Sequence, residues 1–295
     1  MPLRHFFIAL AVVAIWGTNF VVVKIALDHV PPLLFAALRF LFALLPAVFF
    51  LPRPKVPLSN LAAYGVLNGV GQFGLMYLAI AGRISPGLAS LVIQTQVFFT
   101  VGLSMLLAGE TLKPFQYVAL LAGAAGIAVI GAHTDANVTP TGLCLMIVAA
   151  MSWALANIAN KRAGKVNMLA YVVWASAFAV PPLFVLSFWF EGSSAVVHAL
   201  REAGPMDWAA VLWQSVGNTM FGYAAWGWLL SRYPASVVAP MALMVPLFGM
   251  GTASVVLGEA LPAWKIWAAS LILIGLVLNL LWPVIKRRLS LDLST

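Results

Sequence analysis

Apolar residues run along this chain in long unbroken blocks, and charged residues stand between the blocks as punctuation. The stretches free of Asp, Glu, Lys and Arg are 5–23, 56–82, 84–109, 114–134, 136–160, 166–190, 208–231, 233–258 and 266–285. At 1.5 Å per helical residue, such lengths match a hydrocarbon core ~30 Å thick. A tenth block, Pro31 to Leu51, is interrupted only by Arg39, whose stem can lie along apolar surface while its charge reaches the interface or a protein partner. The blocks are continuously apolar and lack the alternation of period two that marks barrel strands. The expected fold class is all-α and integral to the membrane, with ten transmembrane helices.

Composition strengthens this reading. Hydrophobic residues make up 63% of the 295 and charged residues 8%, against ~25% charged in a typical soluble domain. Cys144 is the only cysteine and lies within a block, so neither a disulfide framework nor a thiol metal cluster is expected. Arg4 and His5 before an apolar run superficially resemble a secretion signal, but no A-x-A-like site follows and Lys24 ends the run; this stretch is read as the first span.

The basic residues set the expected orientation, because Lys and Arg concentrate in cytoplasmic loops. With the N-terminus inside, the cytoplasmic face receives Arg4, Arg53, Lys55, Lys113, Lys161, Arg162, Lys165, Arg232, Lys286, Arg287 and Arg288. The outer face receives only Lys24, Arg83, Arg201 and Lys265. Both termini are therefore expected in the cytoplasm, and the net charge of +8 reflects this bias rather than a nucleic-acid partner.

Two weak internal repeats divide the chain. Trp16, Asn19 and Lys24 pair with Trp153, Asn157 and Lys161, and Gly109-Glu110-Thr111-Leu112 pairs with Gly258-Glu259-Ala260-Leu261. The expected halves are 1–135 and 136–295, with an insertion near 192–206 in the second. Five helices per half make the two halves opposite in orientation, the inverted repeat found in many secondary transporters.

The motifs have a family likeness. Residues Ala14 to Lys24 read A-x-W-G-x-N-F-x-x-x-K, Pro31 to Phe40 read P-P-x-x-x-x-A-x-R-F, S-P-G-L-A-S stands at 85–90, and G-E-x-L closes the fourth and ninth spans. Over essentially its whole length the chain resembles the ten-helix EamA branch of the drug/metabolite transporter superfamily. The resemblance implies a bacterial inner-membrane exporter of amino acids or related metabolites, a group that includes the YddG-like exporters of aromatic amino acids. It also implies a central cavity among spans 1, 3, 4, 6, 8 and 9, with spans 5 and 10 more peripheral.

Polar side chains inside spans are costly unless they face protein or a water-filled cavity. The candidates are Asn19, Asn68, Gln72, Gln94, Gln96, Asn157, Gln214 and Asn218. Asn68 and Gln72 share a helix face, as do Gln214 and Asn218; the competing role is ordinary bonding between helices. Trp16, Trp153, Tyr77, Tyr223 and Trp226 offer aromatic walls for an amphipathic solute, or simply packing and interfacial anchoring. Arg39 and Lys24 offer a partner for a carboxylate, although the favoured expectation for Arg39 is bonding to backbone carbonyls near the outer interface. Glu110 and Glu259 are expected to cap the helices that follow them, and Gly65 with Gly69 to permit close helix approach. Pro86, Pro240 and Pro246, with Pro181 and Pro182, are expected to bend spans four, nine and seven and to carry gating there.

The residue types also exclude chemistry. Every acidic residue and every histidine falls at a span end or in a loop, which argues against an intramembrane enzyme. It also favours uncoupled facilitated diffusion over a carboxylate-driven antiporter. No phosphate-binding loop is present, so ATP is not the motor. The expected solute is a neutral or zwitterionic metabolite, carried by alternating access with no cofactor and no metal, a monomer sufficing. A proton-coupled antiporter is the alternative, and a passive channel would need a filter loop or charge ring that the sequence does not display.

Overall fold

A computed structural model describes residues 1–108, 113–133, 138–233 and 235–292. Among the described residues the chain is helical throughout, and its only β contact is a single bridge between Ile84 and Val138. The first helices are α1 (Leu3–Ala26), α2 (Pro32–Leu44, followed by a 3-10 turn Ala47–Phe49) and α3 (58–80). Then come α4 (86–108), α5 (Pro114–Ala132), α6 (Pro140–Ala163) and α7 (Met168–Phe190). A short amphipathic helix α8 (Ser193–Glu202) occupies the expected insertion and precedes α9 (205–232), α10 (235–257) and α11 (Ala263–Asp292).

Eight stretches are long and apolar enough to cross a membrane: 3–26, 32–49, 86–106, 114–132, 140–163, 168–190, 239–257 and 263–282. Neither α3 nor α9 is among them. Each is divided by a nine-residue π-helical segment, Val66–Gly74 in α3 and Trp213–Phe221 in α9. Those segments hold the Asn68/Gln72 and Gln214/Asn218 pairs, so each i, i+4 amide pair lies on a widened turn.

Large apolar side chains cover the outside, with Leu106, Trp189 and Val255 exposed by 83%, 80% and 86%. In water such a surface would drive aggregation; in lipid it is the solvated one. α5 and α11 pack on each other at the periphery through small residues: Gly126 lies against Ala268 and Ile272, and Gly275 against the carbonyl of Ala119. α2 lies deeper, packed along α7.

The close approach expected at Gly65 and Gly69 is present. A Cβ on Gly65 would fall 2.1 Å from the Ala175 carbonyl oxygen, and one on Gly69 would fall 2.4 Å from the Ala179 Cβ. α7 therefore rests on bare backbone of α3. Pro86 opens α4 rather than bending it, and the departures from α geometry come later, in 3-10 turns at Ile93–Thr95 of α4 and Ala239–Met244 of α10. Pro240 lies within the second of these, whereas Pro181 and Pro182 are carried inside a continuous α7.

Glu259 departs from expectation. Its carboxylate accepts from the Gly87 backbone N–H (3.0 Å) and the Ser85 hydroxyl at the start of α4, and from Lys265 Nζ (2.9 Å) in the first turn of α11. It thus caps a helix of the first half rather than only positioning the one that follows it, since the free N–H groups of α4 are what a carboxylate stabilises. Glu110, its sequence counterpart, lies outside the described residues. Glu191 plays a similar part at α2, accepting from the backbone N–H groups of Leu33 and Leu34 at 2.6 and 3.1 Å.

Candidate functional site

One group of buried polar side chains gathers around a cation. Arg39, on α2, has no solvent exposure. Its Nε–H and one Nη2–H donate to the Thr219 hydroxyl (3.2 and 3.1 Å), while Nη1 donates to the Tyr77 hydroxyl (2.8 Å) and Gln214 Oε1 (3.0 Å). Nη2 also donates to Asn218 Oδ1 at 2.8 Å. The ring of Phe73 lies under the guanidinium, 3.7 Å from Cζ to centroid, a cation-π contact that stabilises a desolvated charge. This corrects the expectation of backbone carbonyls near the interface: the partners are side-chain oxygens on α3 and α9. Four neutral groups can converge there because both helices present polar faces to α2.

Asn19 and Trp16 extend the cluster to α1. Gln214 Nε2 donates to Asn19 Oδ1 at 2.6 Å, and Trp16 Nε1 donates to the Asn218 carbonyl at 3.2 Å. The Trp16 ring stands 5.2 Å from that of Trp226 and 6.0 Å from that of Tyr223. Its indole sits where a side chain on Gly222 would be, since a Cβ there would meet Nε1 at 2.4 Å. The π segment of α9 leaves carbonyls off the regular ladder, and side chains take them: Thr219 bonds the Gln214 carbonyl, and Trp16 that of Asn218.

The α3 amides differ. Asn68 and Gln72 are 2% and 3% exposed, and Asn68 Oδ1 and Gln72 Oε1 are buried without a hydrogen-bond partner among the described residues. A displaced backbone carbonyl in this segment, that of Leu67, is taken by the Ser152 hydroxyl at 2.9 Å.

The remaining candidates stand apart. Gln94 is buried and donates to the Ala242 carbonyl at 3.2 Å, joining the 3-10 turns of α4 and α10. Asn157 donates to Gln96 Oε1 at 2.8 Å, joining α6 to α4. Trp153 packs against the main apolar core. The structure therefore brings Trp16, Asn19, Tyr77, Asn218 and Trp226 together and leaves Gln94, Trp153 and Asn157 in helix contacts elsewhere. Sequence reasoning undervalued Arg39 and did not single out Thr219. The signal for Arg39 was its place as the one charge inside an apolar block; Thr219 offered none.

Among the described residues no acidic side chain enters the network. The ion pairs among the described residues are Lys24–Asp28, His29–Asp207 and Lys265–Glu259. Likewise no group of three or more His, Cys, Asp or Glu that could hold a metal occurs among them.

Comparison with known proteins agrees with this architecture. The EamA-like transporter family matches residues 3–132 and again 140–281, two tandem copies of one unit. A probable amino-acid metabolite efflux pump of Salmonella typhimurium strain LT2 is 37% identical over 97% of this chain and 98% of its own length. Its namesake in Escherichia coli K12 is 37% identical over 92% of this chain and 93% of that protein. A crystal structure of another chain, 19% identical, superposes with a TM-score of 0.64 over 98% of this chain and 99% of its own, which establishes the shared fold. The chain is a multi-pass membrane transporter, not an enzyme, and it belongs to the EamA-like transporter family.

Proposed function

We propose that this protein exports amino acids or closely related metabolites across the inner membrane by alternating access, as an uncoupled facilitator. The observation that carries the reading is the cluster of buried polar side chains from α1, α2, α3 and α9, held inside an otherwise apolar bundle. Polar groups so placed are expensive in a membrane protein unless they serve a solute path. The efflux direction and the amino-acid class are supported by the names of the relatives in Salmonella and Escherichia coli.

In this reading α3 and α9 are the remaining two of ten spans, and the halves 1–135 and 136–295 are inverted repeats. Support comes from irregularities that recur at matching places: a nine-residue π segment in α3 and in α9, and a 3-10 turn in α4 and in α10. Those interrupted helices are where bending costs least, and α4 and α10 serve as the gating pair. Both termini face the cytoplasm, following the distribution of Lys and Arg. Uncoupled transport is supported by Glu191 and Glu259, whose carboxylates are already engaged at helix ends by backbone N–H groups, hydroxyls and Lys265.

The test is uptake and efflux of a labelled amino-acid panel, aromatic and aliphatic, in liposomes holding the purified protein, with and without a pH gradient. Equilibration without the gradient is the expected result. Movement that requires the gradient would replace the uncoupled facilitator with an antiporter, and no movement of any member would remove the amino-acid class.

A further inference from the structure

Arg39 is buried as a cation, and Asn68 and Gln72 are buried with acceptors that lack a donor among the described residues. A guanidinium presents five N–H donors in a planar fork that matches a carboxylate. Here its five bonds among the described residues end on uncharged oxygens of Thr219, Tyr77, Gln214 and Asn218. Neutral dipoles solvate a buried cation but leave its net charge in place, and burying a charge without an opposite one is costly. On α3, conversely, the oxygens of Asn68 and Gln72 are buried with nothing to accept from among the described residues. Phe73, which follows Gln72 directly, is the residue whose ring lies beneath the guanidinium, so the two sets share a stretch of one helix.

We infer that Arg39 is the anchor for the carboxylate of a zwitterionic amino acid, and that Asn68 and Gln72 receive its ammonium group. This rests on the amino-acid reading above and deepens it by assigning which end of the solute goes where. An ammonium carries three donors and no acceptor, the complement of two unpartnered amide oxygens. A carboxylate taking the fork displaces Gln214 Oε1 and Asn218 Oδ1 from it. Because Arg39 belongs to α2 and these two amides to α9, the exchange releases a bond between halves of the molecule at the moment the solute is bound. Differential contact of this kind is what a ligand must have to shift a conformational equilibrium.

The experiment varies the solute before it varies the protein, so it does not depend on a mutant folding. In liposomes with wild-type protein, the best-moving member of a labelled panel of phenylalanine, leucine and threonine is compared with its carboxamide, which lacks the carboxylate. It is also compared with its N-acetyl derivative, which lacks the ammonium. Each derivative is expected to move at least about tenfold more slowly than the parent, the factor for losing one charge-assisted contact. Arg39→Lys and Arg39→Gln are then expected to compress the ratio of amino acid to carboxamide towards one, and Asn68→Leu with Gln72→Leu the ratio of amino acid to N-acetyl derivative. A structural Arg39 would instead lower parent and carboxamide alike and leave their ratio unchanged. Equal movement of parent and carboxamide by the wild type would overturn the carboxylate assignment while leaving an amino-acid exporter standing. Equal movement of parent and N-acetyl derivative would overturn the ammonium assignment in the same way. If no parent amino acid moves, the functional reading itself falls and this inference with it.

Discussion

The π segments of α3 and α9 have the same length and each carries two amides, yet their energetic states are opposite. In α9, Gln214 and Asn218 both accept from Arg39, and Gln214 also donates to Asn19. In α3, Asn68 and Gln72 are equally buried, and their oxygens have no donor among the described residues. The difference lies with one cation: Arg39 meets α3 at Tyr77 and Phe73, but the amide oxygens it bonds are those of α9. A polar segment inside a membrane bundle is thus a stabilising joint where a donor meets it and a set of unmet acceptors where none does.

Substitution can break this contrast, and the largest effect is expected at its centre. Arg39→Leu strips the donor from four side chains at once and should lower unfolding stability by about 3–5 kcal/mol, measured by thermal unfolding of the purified protein. A variant as stable as wild type would mean that the network around α9 does not hold helices together. Next in size is a paired comparison of the amides themselves. Gln214→Leu should cost about 2–3 kcal/mol because it orphans Asn19 and part of the Arg39 fork, whereas Gln72→Leu should leave stability unchanged or raise it by about 1 kcal/mol. Similar losses at both positions would erase the distinction between a joint and unmet acceptors.

The close contact of α3 with α7 gives the next effect in size. Gly65→Ala would set a Cβ 2.1 Å from a carbonyl oxygen and should cost about 1–3 kcal/mol, since backbone must move. Gly251→Ala, with nothing within 4 Å of the new atom, should instead be neutral or gain about 0.5–1 kcal/mol of helix propensity. Smallest of all, Lys24→Ala removes an exposed i, i+4 pair with Asp28 and should shift stability by less than about 1 kcal/mol. A larger loss there would mean that Lys24 holds the fold through more than its pair with Asp28.

Most of the architecture was legible before any tertiary information. The lengths of the charge-free blocks correspond to helices because helical rise and apolar run length are local quantities, fixed by each residue and its near neighbours. The amide candidates were legible for the same reason: a carboxamide in the middle of an apolar block is anomalous by itself. The division of α3 and α9 by π segments was not, although the glycines of α3 and the Ser, Gly, Asn and Thr of α9 mark weak α formers. Nor could block lengths show that Lys265, expected in an outer loop, is 3% exposed and paired with Glu259 across the start of α11.

By itself the sequence determined a helical membrane protein in two related parts, with a small stock of buried polar groups and a single intramembrane charge. Tertiary structure decided which of those groups meet. The partners of Arg39 lie 38, 175, 179 and 180 residues away along the chain, separations at which periodicity carries no information. Helix formation is settled within a turn or two, whereas the choice between a satisfied and an unsatisfied amide is settled by which helix the bundle sets opposite it. For that reason the joint at α9 and the open acceptors at α3 could be read only from the folded molecule.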